Sequence, residues 1–277
     1  MNALEIKGLY KSFPDFQLKD INLTVPEGFI MGLVGCNGSG KTTLFKTIMN
    51  MKFKDSGSIR VYGLDHQQDE AQAKAQIAYA SETPQYPAEH TLQVIKQAFS
   101  AVRLDWDEQK FITLIQRFDL DLKTKFTTLS KGGKVKFNLA LSLSHNARLL
   151  LLDEPTAGLD PIIRNEILDQ LREEIQNEQK AVLFSTHITS DLDDLADYLT
   201  IIDNGKILLS QSREVLSDSW RLVKLDQLPE KLLGSVHLQG IRKSTYHTSL
   251  LTSNYAEIRP FLPPDVIVEK PNFEDIM

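Results

Sequence analysis

Short apolar runs alternate with turn residues through the first forty positions of the chain. Proline and glycine separate the runs, a pattern typical of β-strands. The predicted strands are 4–6, 18–25 and 29–34. A glycine-rich loop follows at 35–40, and apolar residues then recur at helical spacing over 41–49. We therefore predict a strand, a glycine loop and a helix in that order.

The middle of the chain predicts helices followed by a parallel sheet. Apolar residues fall at helical spacing from 89 to 144, which predicts a helical insert at about 84–145. The runs 149–152 and 181–185 are apolar throughout, as expected for strands that are covered on both faces. Between them, 163–178 has apolar residues four positions apart and is predicted to be an amphipathic helix. This order indicates an α/β fold.

After Gly205 the alternation of apolar and polar residues becomes less regular. The segments that resemble strands in this last part are 220–225, 235–240 and 266–269. We place a domain boundary near 215. It divides the chain into a large domain, 1–215, and a small C-terminal α+β extension, 216–277.

Composition and charge narrow the class of protein. With 277 residues, 42% hydrophobic and 25% charged, the chain has the composition of a globular protein. A net charge of -6 argues against a general binder of nucleic acid backbones, so no nucleic acid partner is expected. The single cysteine, Cys36, fits a reducing compartment. No apolar run approaches the roughly 18 residues of a membrane span, and no targeting peptide is expected at the N-terminus.

The loop after the third predicted strand matches the phosphate-binding pattern G-x-x-x-x-G-K-[ST] over 35–42. Glycines allow successive backbone N–H groups to face phosphate oxygens. Lys41 adds a cation, the Thr42 hydroxyl is suited to Mg²⁺, and the helix N-terminus favours an anion. The predicted nucleotide contacts here are Gly35, Cys36, Asn37, Gly38, Ser39, Gly40, Lys41, Thr42 and Thr43.

Two adjacent carboxylates end the apolar strand 149–152. In a phosphate-loop protein, Asp153 is placed to hold Mg²⁺, and Glu154 can act on a water that attacks the γ phosphate. The other reading is a turn at the end of a strand with two solvated acids.

These motifs together resemble those of an ATP-binding-cassette (ABC) ATPase. Leu129-Ser130-Lys131-Gly132-Gly133-Lys134 resembles the family signature, Ala157-Gly158-Leu159-Asp160 the loop linking the two sites, and Ser185-Thr186-His187 the switch. The resemblance implies a P-loop NTPase fold of ABC type, with a mixed sheet core, an antiparallel β subdomain, the helical insert and the C-terminal extension.

The resemblance also implies residue roles. Two chains would enclose two ATP molecules head to tail, and the signature residues Ser130, Gly132 and Gly133 would contact the γ phosphate held by the opposite subunit. His187 would touch the γ phosphate, although alone it also fits a capping or core histidine. Phe13 stands where the family stacks a ring on adenine, with Tyr10 as the competing candidate.

Three positions depart from the usual family pattern. Glu82 stands where glutamine is common, and it is either a ligand of Mg²⁺ or a solvated loop acid. Lys131 replaces a glycine in the signature, and Gly133 replaces a glutamine. With the terminal string 271–276, these features resemble the ATPase subunits of bacterial ABC-2 type exporters.

The resemblance therefore implies an ATPase that binds ATP and Mg²⁺ and drives a separate transmembrane permease. It implies pairing with a second ATPase subunit, identical or paralogous, and a cytoplasmic position on the inner face of the membrane. A soluble ABC ATPase without a membrane partner is the alternative. A phosphate-loop kinase or GTPase is a third reading, in which Glu154 would need another role.

Overall fold

The computed structural model describes residues 1–87, 89–103, 105–176, 180–193, 195–226, 228–232, 238–244 and 247–277. Its strands form three sheets. The strands are β1 Asn2–Ser12, β2 Gln17–Pro26, β3 Ile30–Val34, β4 Ser56–Val61, β5 Leu64–Asp65, β6 Ile77–Ala80, β7 Leu149–Asp153, β8 Ala181–Thr186, β9 Tyr198–Asp203, β10 Lys206–Ser212, β11 Arg221–Leu225, β12 Gly240–Lys243, β13 Thr248–Thr252 and β14 Ile267–Glu269. The α-helices are α1 Lys41–Ile48, α2 Glu70–Ala75, α3 Leu92–Ala101, α4 Glu108–Arg117, α5 Lys131–Leu143, α6 Pro161–Ile175, α7 Ser190–Asp193, α8 Arg213–Ser219, α9 Tyr255–Ile258 and α10 Phe273–Ile276.

A six-stranded sheet forms the centre of the molecule, in the order β10-β9-β3-β8-β7-β6. Strands β9 to β6 in this order are parallel, and β10 pairs antiparallel with β9. Every residue of β3, β7 and β8 is buried, which confirms strands covered on both faces. The carboxyl ends of these three strands therefore meet at one edge of the sheet.

A four-stranded antiparallel sheet, β2-β1-β4-β5, packs beside the central one. Its buried residues share a core cluster with Met31 and Leu33 of β3 and with Leu44 and Phe45 of α1. Strand β1 extends well beyond the predicted 4–6. Antiparallel pairing on both sides holds its polar outer positions in the strand, although they carry no apolar signal.

Helices α3, α4 and α5 form the predicted insert. Phe111 and Leu114 of α4 are buried at the spacing that the sequence indicated. The ring of Phe111 meets that of Phe137 on α5 at a centroid distance of 6.5 Å. In the described residues, no helix is long and apolar enough to cross a membrane.

The C-terminal part carries a third sheet, β12-β13-β11-β14, and helices α9 and α10. Strands were predicted at 220–225, 235–240 and 266–269. The first and third agree with β11 and β14. Of the second, 235–237 lie outside the described residues, and β12 begins where the prediction ended, at Gly240.

The proposed division near 215 falls inside α8, and it stays a prediction. Helix α10 packs back on the predicted large domain, where Phe273 and Ile276 are buried in the same core as Leu192.

Candidate nucleotide-binding site

The glycine loop connects the end of β3 to the start of α1, as predicted. Gly38 and Gly40 have φ angles of 83° and 114°, which side chains rarely adopt. A Cβ on Gly40 would also lie 2.7 Å from Cζ of Phe16, and one on Gly35 would lie 2.2 Å from the carbonyl oxygen of Ile202. The backbone path of the loop therefore requires glycine at these positions.

Lys41 is only 5% exposed, and its ammonium group faces the loop. Its Nζ donates to the carbonyl oxygens of Gly35, at 2.6 Å, and Cys36, at 3.3 Å. Nζ also lies 3.1 Å from Oε1 of Glu154. The buried hydroxyl of Ser39 has no hydrogen-bond partner among the described residues. An unsatisfied buried hydroxyl and a fixed cation fit an anionic, oxygen-rich ligand.

Asp153 ends β7 in a buried polar cluster and is 1% exposed. Oγ of Ser185 donates to its Oδ1 at 2.8 Å, and the Thr42 side chain is also hydrogen-bonded to it. Burial raises the pKa of Asp153, and these two hydrogen bonds lower it in part. A hydroxyl and a carboxylate side by side are suitable ligands for a hard divalent cation.

Glu154 adopts a left-handed backbone with φ 51°, which turns its side chain away from the direction of the strand. Its backbone N–H donates to Oγ of Ser185 at 2.9 Å, and its Oε2 lies 2.7 Å from Nδ1 of His187. Its Oε1 accepts no hydrogen bond of good geometry despite the nearby Lys41. A buried carboxylate next to a partly exposed imidazole is an arrangement that can handle a proton.

One cleft of about 730 Å³ collects most of the predicted contacts. The predicted residues that line it are Phe13, Asn37, Gly38, Ser39, Gly40, Lys41, Thr42, Thr43, Glu82, Glu154 and His187. Asp153 borders an adjoining groove that also contains Thr42 and Glu82. Gly35 and Cys36 do not line the cleft; their carbonyls hold Lys41 instead.

Phe13, rather than Tyr10, lies at the cleft. The ammonium groups of Lys11 and Lys52 lie 5.4 and 6.0 Å from the centroid of the Phe13 ring. The sequence analysis missed Phe16 and Asp15, which also line the cleft. Phe16 could have been suspected as a second ring close to Phe13 in sequence.

The signature residues lie outside this cleft. Ser130 is exposed and caps α5, where its hydroxyl accepts from the N–H of Gly133 at 3.1 Å. Gly132 is buried, and a Cβ there would lie 2.6 Å from Cδ1 of Ile163. Gly133 has ordinary space around it. Ser130 is therefore exposed at the start of α5 outside the cleft, whereas Gly132 packs against α6.

A buried network behind the site was also missed. Asp191 is fully buried, and its Oδ2 accepts from the Thr156 hydroxyl at 2.6 Å. The guanidinium of Arg164 contacts its other oxygen. Asp191 thereby joins the loop after Glu154 to the segment after His187. No local pattern signals this role, because the partners come from three separate parts of the chain.

The central sheet, the phosphate loop at its edge and the paired carboxylates define a P-loop NTPase with an inserted helical subdomain. The chain belongs to the ABC transporter family, which matches residues 18–157. It is an ABC ATPase subunit, a class that binds ATP and hydrolyses it in transport. The kinase and GTPase reading is thereby set aside.

Relatives and solved structures agree with this assignment. The chain is 35% identical over 208 residues to the uncharacterized ABC transporter ATP-binding protein YdbJ of Bacillus subtilis, covering 74% of this chain and 67% of YdbJ. It is 32% identical over 211 residues to the lantibiotic transport ATP-binding protein SrtF of Streptococcus pyogenes, covering 75% and 90%. A solved ATP-binding subunit of an ABC transporter superposes with a TM-score of 0.71 at 26% identity, covering 78% and 92%.

Proposed function

We propose that this chain binds ATP with Mg²⁺, pairs head to tail with a second ATPase subunit, and drives a separate transmembrane permease in export. In this proposal it lies on the inner face of the membrane, held there by the permease. The observation that carries the proposal is the division of the site. One cleft gathers Lys41, Glu154 and His187, whereas Ser130 is exposed outside it.

Within the cleft, the triphosphate would lie against the N–H groups of the loop, with Lys41 and the Ser39 hydroxyl as direct contacts. Phe13 would stack on the adenine ring. Glu154 would accept a proton from the attacking water, and His187 would hold the γ phosphate and the Glu154 carboxylate in register. The distance of 2.7 Å between His187 and Glu154 supports this last role.

Mg²⁺ would be held by Thr42 and Asp153, which supply a hydroxyl and a carboxylate oxygen. In the described part of the chain, no three histidine, cysteine or acidic side chains form a metal-binding group. A cation bound here would therefore draw further ligands from phosphate oxygens and water, as Mg²⁺ commonly does. Glu82 is exposed at the mouth of both grooves and would act through water or as an added ligand.

A second subunit would complete the site through Ser130, Gly132 and Gly133. The exposed Ser130 at the N-terminus of the 13-residue helix α5 supports this, because the helix end presents N–H groups to an anion. The close packing of Gly132 on Ile163 fixes that helix end on the loop side of α6.

Support for a permease comes from a groove beside the cleft and from the relatives. The groove contains Glu82 and Met51, and Met51 is 56% exposed with Phe53 nearby at 68%. Exposed apolar side chains beside a groove suit a partner protein. The names of several relatives refer to lantibiotic transport, bacitracin transport and Nod factor export, which favours export.

The test is Glu154→Gln, which keeps the shape of the site but removes the proton acceptor. We expect ATP binding to persist, turnover to fall at least about a hundredfold, and an ATP-dependent dimer to accumulate on size-exclusion chromatography with light scattering. Lys41→Ala in the same background is the control, because without the loop cation the dimer should not form. Normal turnover in Glu154→Gln would place the proton acceptor elsewhere, and a monomer at saturating ATP would contradict the head-to-tail dimer.

A further inference from the structure

The first residue of α5, Lys131, lies against the loop that follows Glu154. A Cβ added to Gly158 would lie 2.6 Å from Nζ of Lys131 and 3.6 Å from its Cε. Gly158 has φ 64° and no side chain, so the lysine side chain fills the space above it. Lys131 therefore connects the signature segment to the loop 157–160 within one subunit.

The ammonium group of Lys131 is exposed and has no anionic partner in the part of the chain that the structure describes. Other lysines of α5 are engaged: Lys136 pairs with Glu166 at 2.7 Å, and Lys134 lies over the ring of Phe126 at 5.6 Å. No carboxylate of a described residue lies within 4.0 Å of Lys131. An exposed cation without a carboxylate partner among the described residues thus lies next to Ser130 at the start of α5.

The resting position of Lys131 also has a structural link to hydrolysis. The loop on which it rests begins at Glu154 and is anchored by the bond from Thr156 to the buried Asp191. A change in the position of Lys131 would therefore alter the packing of the loop that begins at the proposed proton acceptor, Glu154.

We propose that Lys131 is a second phosphate-binding cation that acts only on the nucleotide of the opposite subunit. In the separated subunit it rests on Gly158. On closure it moves to the γ phosphate presented by the partner, where an ammonium group adds a charge-assisted hydrogen bond that a glycine cannot supply. This inference rests on the head-to-tail dimer proposed above.

The experiment compares Lys131→Ala, Lys131→Arg and Lys134→Ala, each in the Glu154→Gln background, by light scattering across an ATP titration. Loss of one such contact weakens the association of the two subunits about tenfold, and the dimer contains two such contacts. The association constant of the Lys131→Ala dimer should therefore fall about a hundredfold. Lys131→Arg should restore most of it. Lys134→Ala removes the same charge one turn further along the helix and should dimerise like the parent.

A second readout separates action across the interface from action within one chain. At protein concentrations below dimerisation, ATP affinity measured by fluorescent-nucleotide displacement should be the same for Lys131→Ala and its parent. The inference would be overturned if the Lys131→Ala monomer lost as much ATP affinity as its dimer loses in stability. It would also be overturned if Lys131→Ala dimerised like its parent. If the Glu154→Gln parent itself stays monomeric, the proposed dimer fails first, and the role of Lys131 fails with it.

Discussion

Glu154 is held in a backbone conformation that non-glycine residues adopt at a cost of about 1–3 kcal/mol. Two interactions with Ser185 fix it there, because the N–H of Glu154 faces both the hydroxyl and the carbonyl oxygen of that residue. The same hydroxyl donates to Asp153. Ser185 therefore sets the direction of two adjacent carboxylates, one toward Thr42 and the other toward Lys41 and His187.

His145 should make stability depend on pH. Its ring is 3% exposed, its Nε2 faces the carbonyl oxygen of Ile77 at 3.2 Å, and burial lowers its pKa to about 4. The charges of Arg103 and Lys110 lower the pKa further, and that of Asp105 raises it. The folded state thus keeps His145 neutral while the unfolded state binds a proton below about pH 6.5.

Stability should therefore fall as pH falls from 6.5 toward 4, with about 2 kcal/mol due to His145 between pH 7 and pH 5. His145→Gln can still donate to Ile77 but does not titrate. Urea unfolding at both pH values should show a smaller loss in the variant than in the parent. Equal losses would mean that His145 is protonated in the folded protein.

Most residues of the site could be predicted from sequence because their spacing is fixed by local geometry. The loop 35–42 and the pair Asp153 and Glu154 follow buried strands directly, so their place at the sheet edge follows from the strand pattern. Asp191 could not be found in this way, because it takes its role from contacts with distant segments of the chain. For Phe16, the available signal was its position three residues after Phe13.

At the level of elements, α4 is joined to α6 by two ion pairs that differ in burial. Glu174 is 5% exposed and accepts from Lys110 at 2.7 Å and from Lys180, the residue before β8, at 2.5 Å. Burial lowers the pKa of Lys110, although Glu174 opposes this. The neighbouring Glu173, 49% exposed, contacts Arg117. The pair at Glu174 therefore ties the helical insert to the central sheet.

Glu174→Gln should destabilise the protein by about 3 kcal/mol, because two partly buried ammonium groups lose their shared carboxylate. Glu173→Gln is the matched control on the same two helices and should cost less than about 1 kcal/mol, since its pair is solvated. Chemical denaturation of both variants measures the difference. Similar costs for the two would show that burial does not decide the strength of this link.

Strands β3, β7 and β8 were predictable because strands covered on both faces are apolar throughout. Strands β6, β9 and β10 of the same sheet were not predicted, and each contains residues that are only partly buried. The C-terminal strands were harder. Only part of β12 to β14 is buried, and β14 is exposed along its whole length, so the apolar signal that marks β7 and β8 is missing. Helix α10 is four residues long and gives no period to detect.

At the scale of the whole molecule, α10 fastens the C-terminal segment to the large domain. Phe273 is 4% exposed, its N–H donates to Oδ1 of Asp193 at 2.9 Å, and the guanidinium of Arg213 lies 4.8 Å from its ring centroid. These contacts reach α7, which begins three residues after His187. Helix α10 therefore packs against the helix that follows His187.

Phe273→Ala should lower the free energy of unfolding by about 3 kcal/mol, because it empties a buried aromatic position. Phe261→Ala, at a position 47% exposed, is the control and should change it by less than about 0.5 kcal/mol. Urea titration followed by tryptophan fluorescence reports on this region, since Trp220 packs against the same core. Equal effects of the two changes would show that α10 does not dock as described.

Nζ of Lys41 and Oε1 of Glu154 lie 3.1 Å apart, so the proposed phosphate-binding cation and the proposed proton acceptor are direct neighbours. If ATP binds as proposed, its phosphate oxygens would compete with Glu154 for the lysine and would leave the carboxylate to the attacking water. Binding of the substrate would then itself prepare the site for hydrolysis.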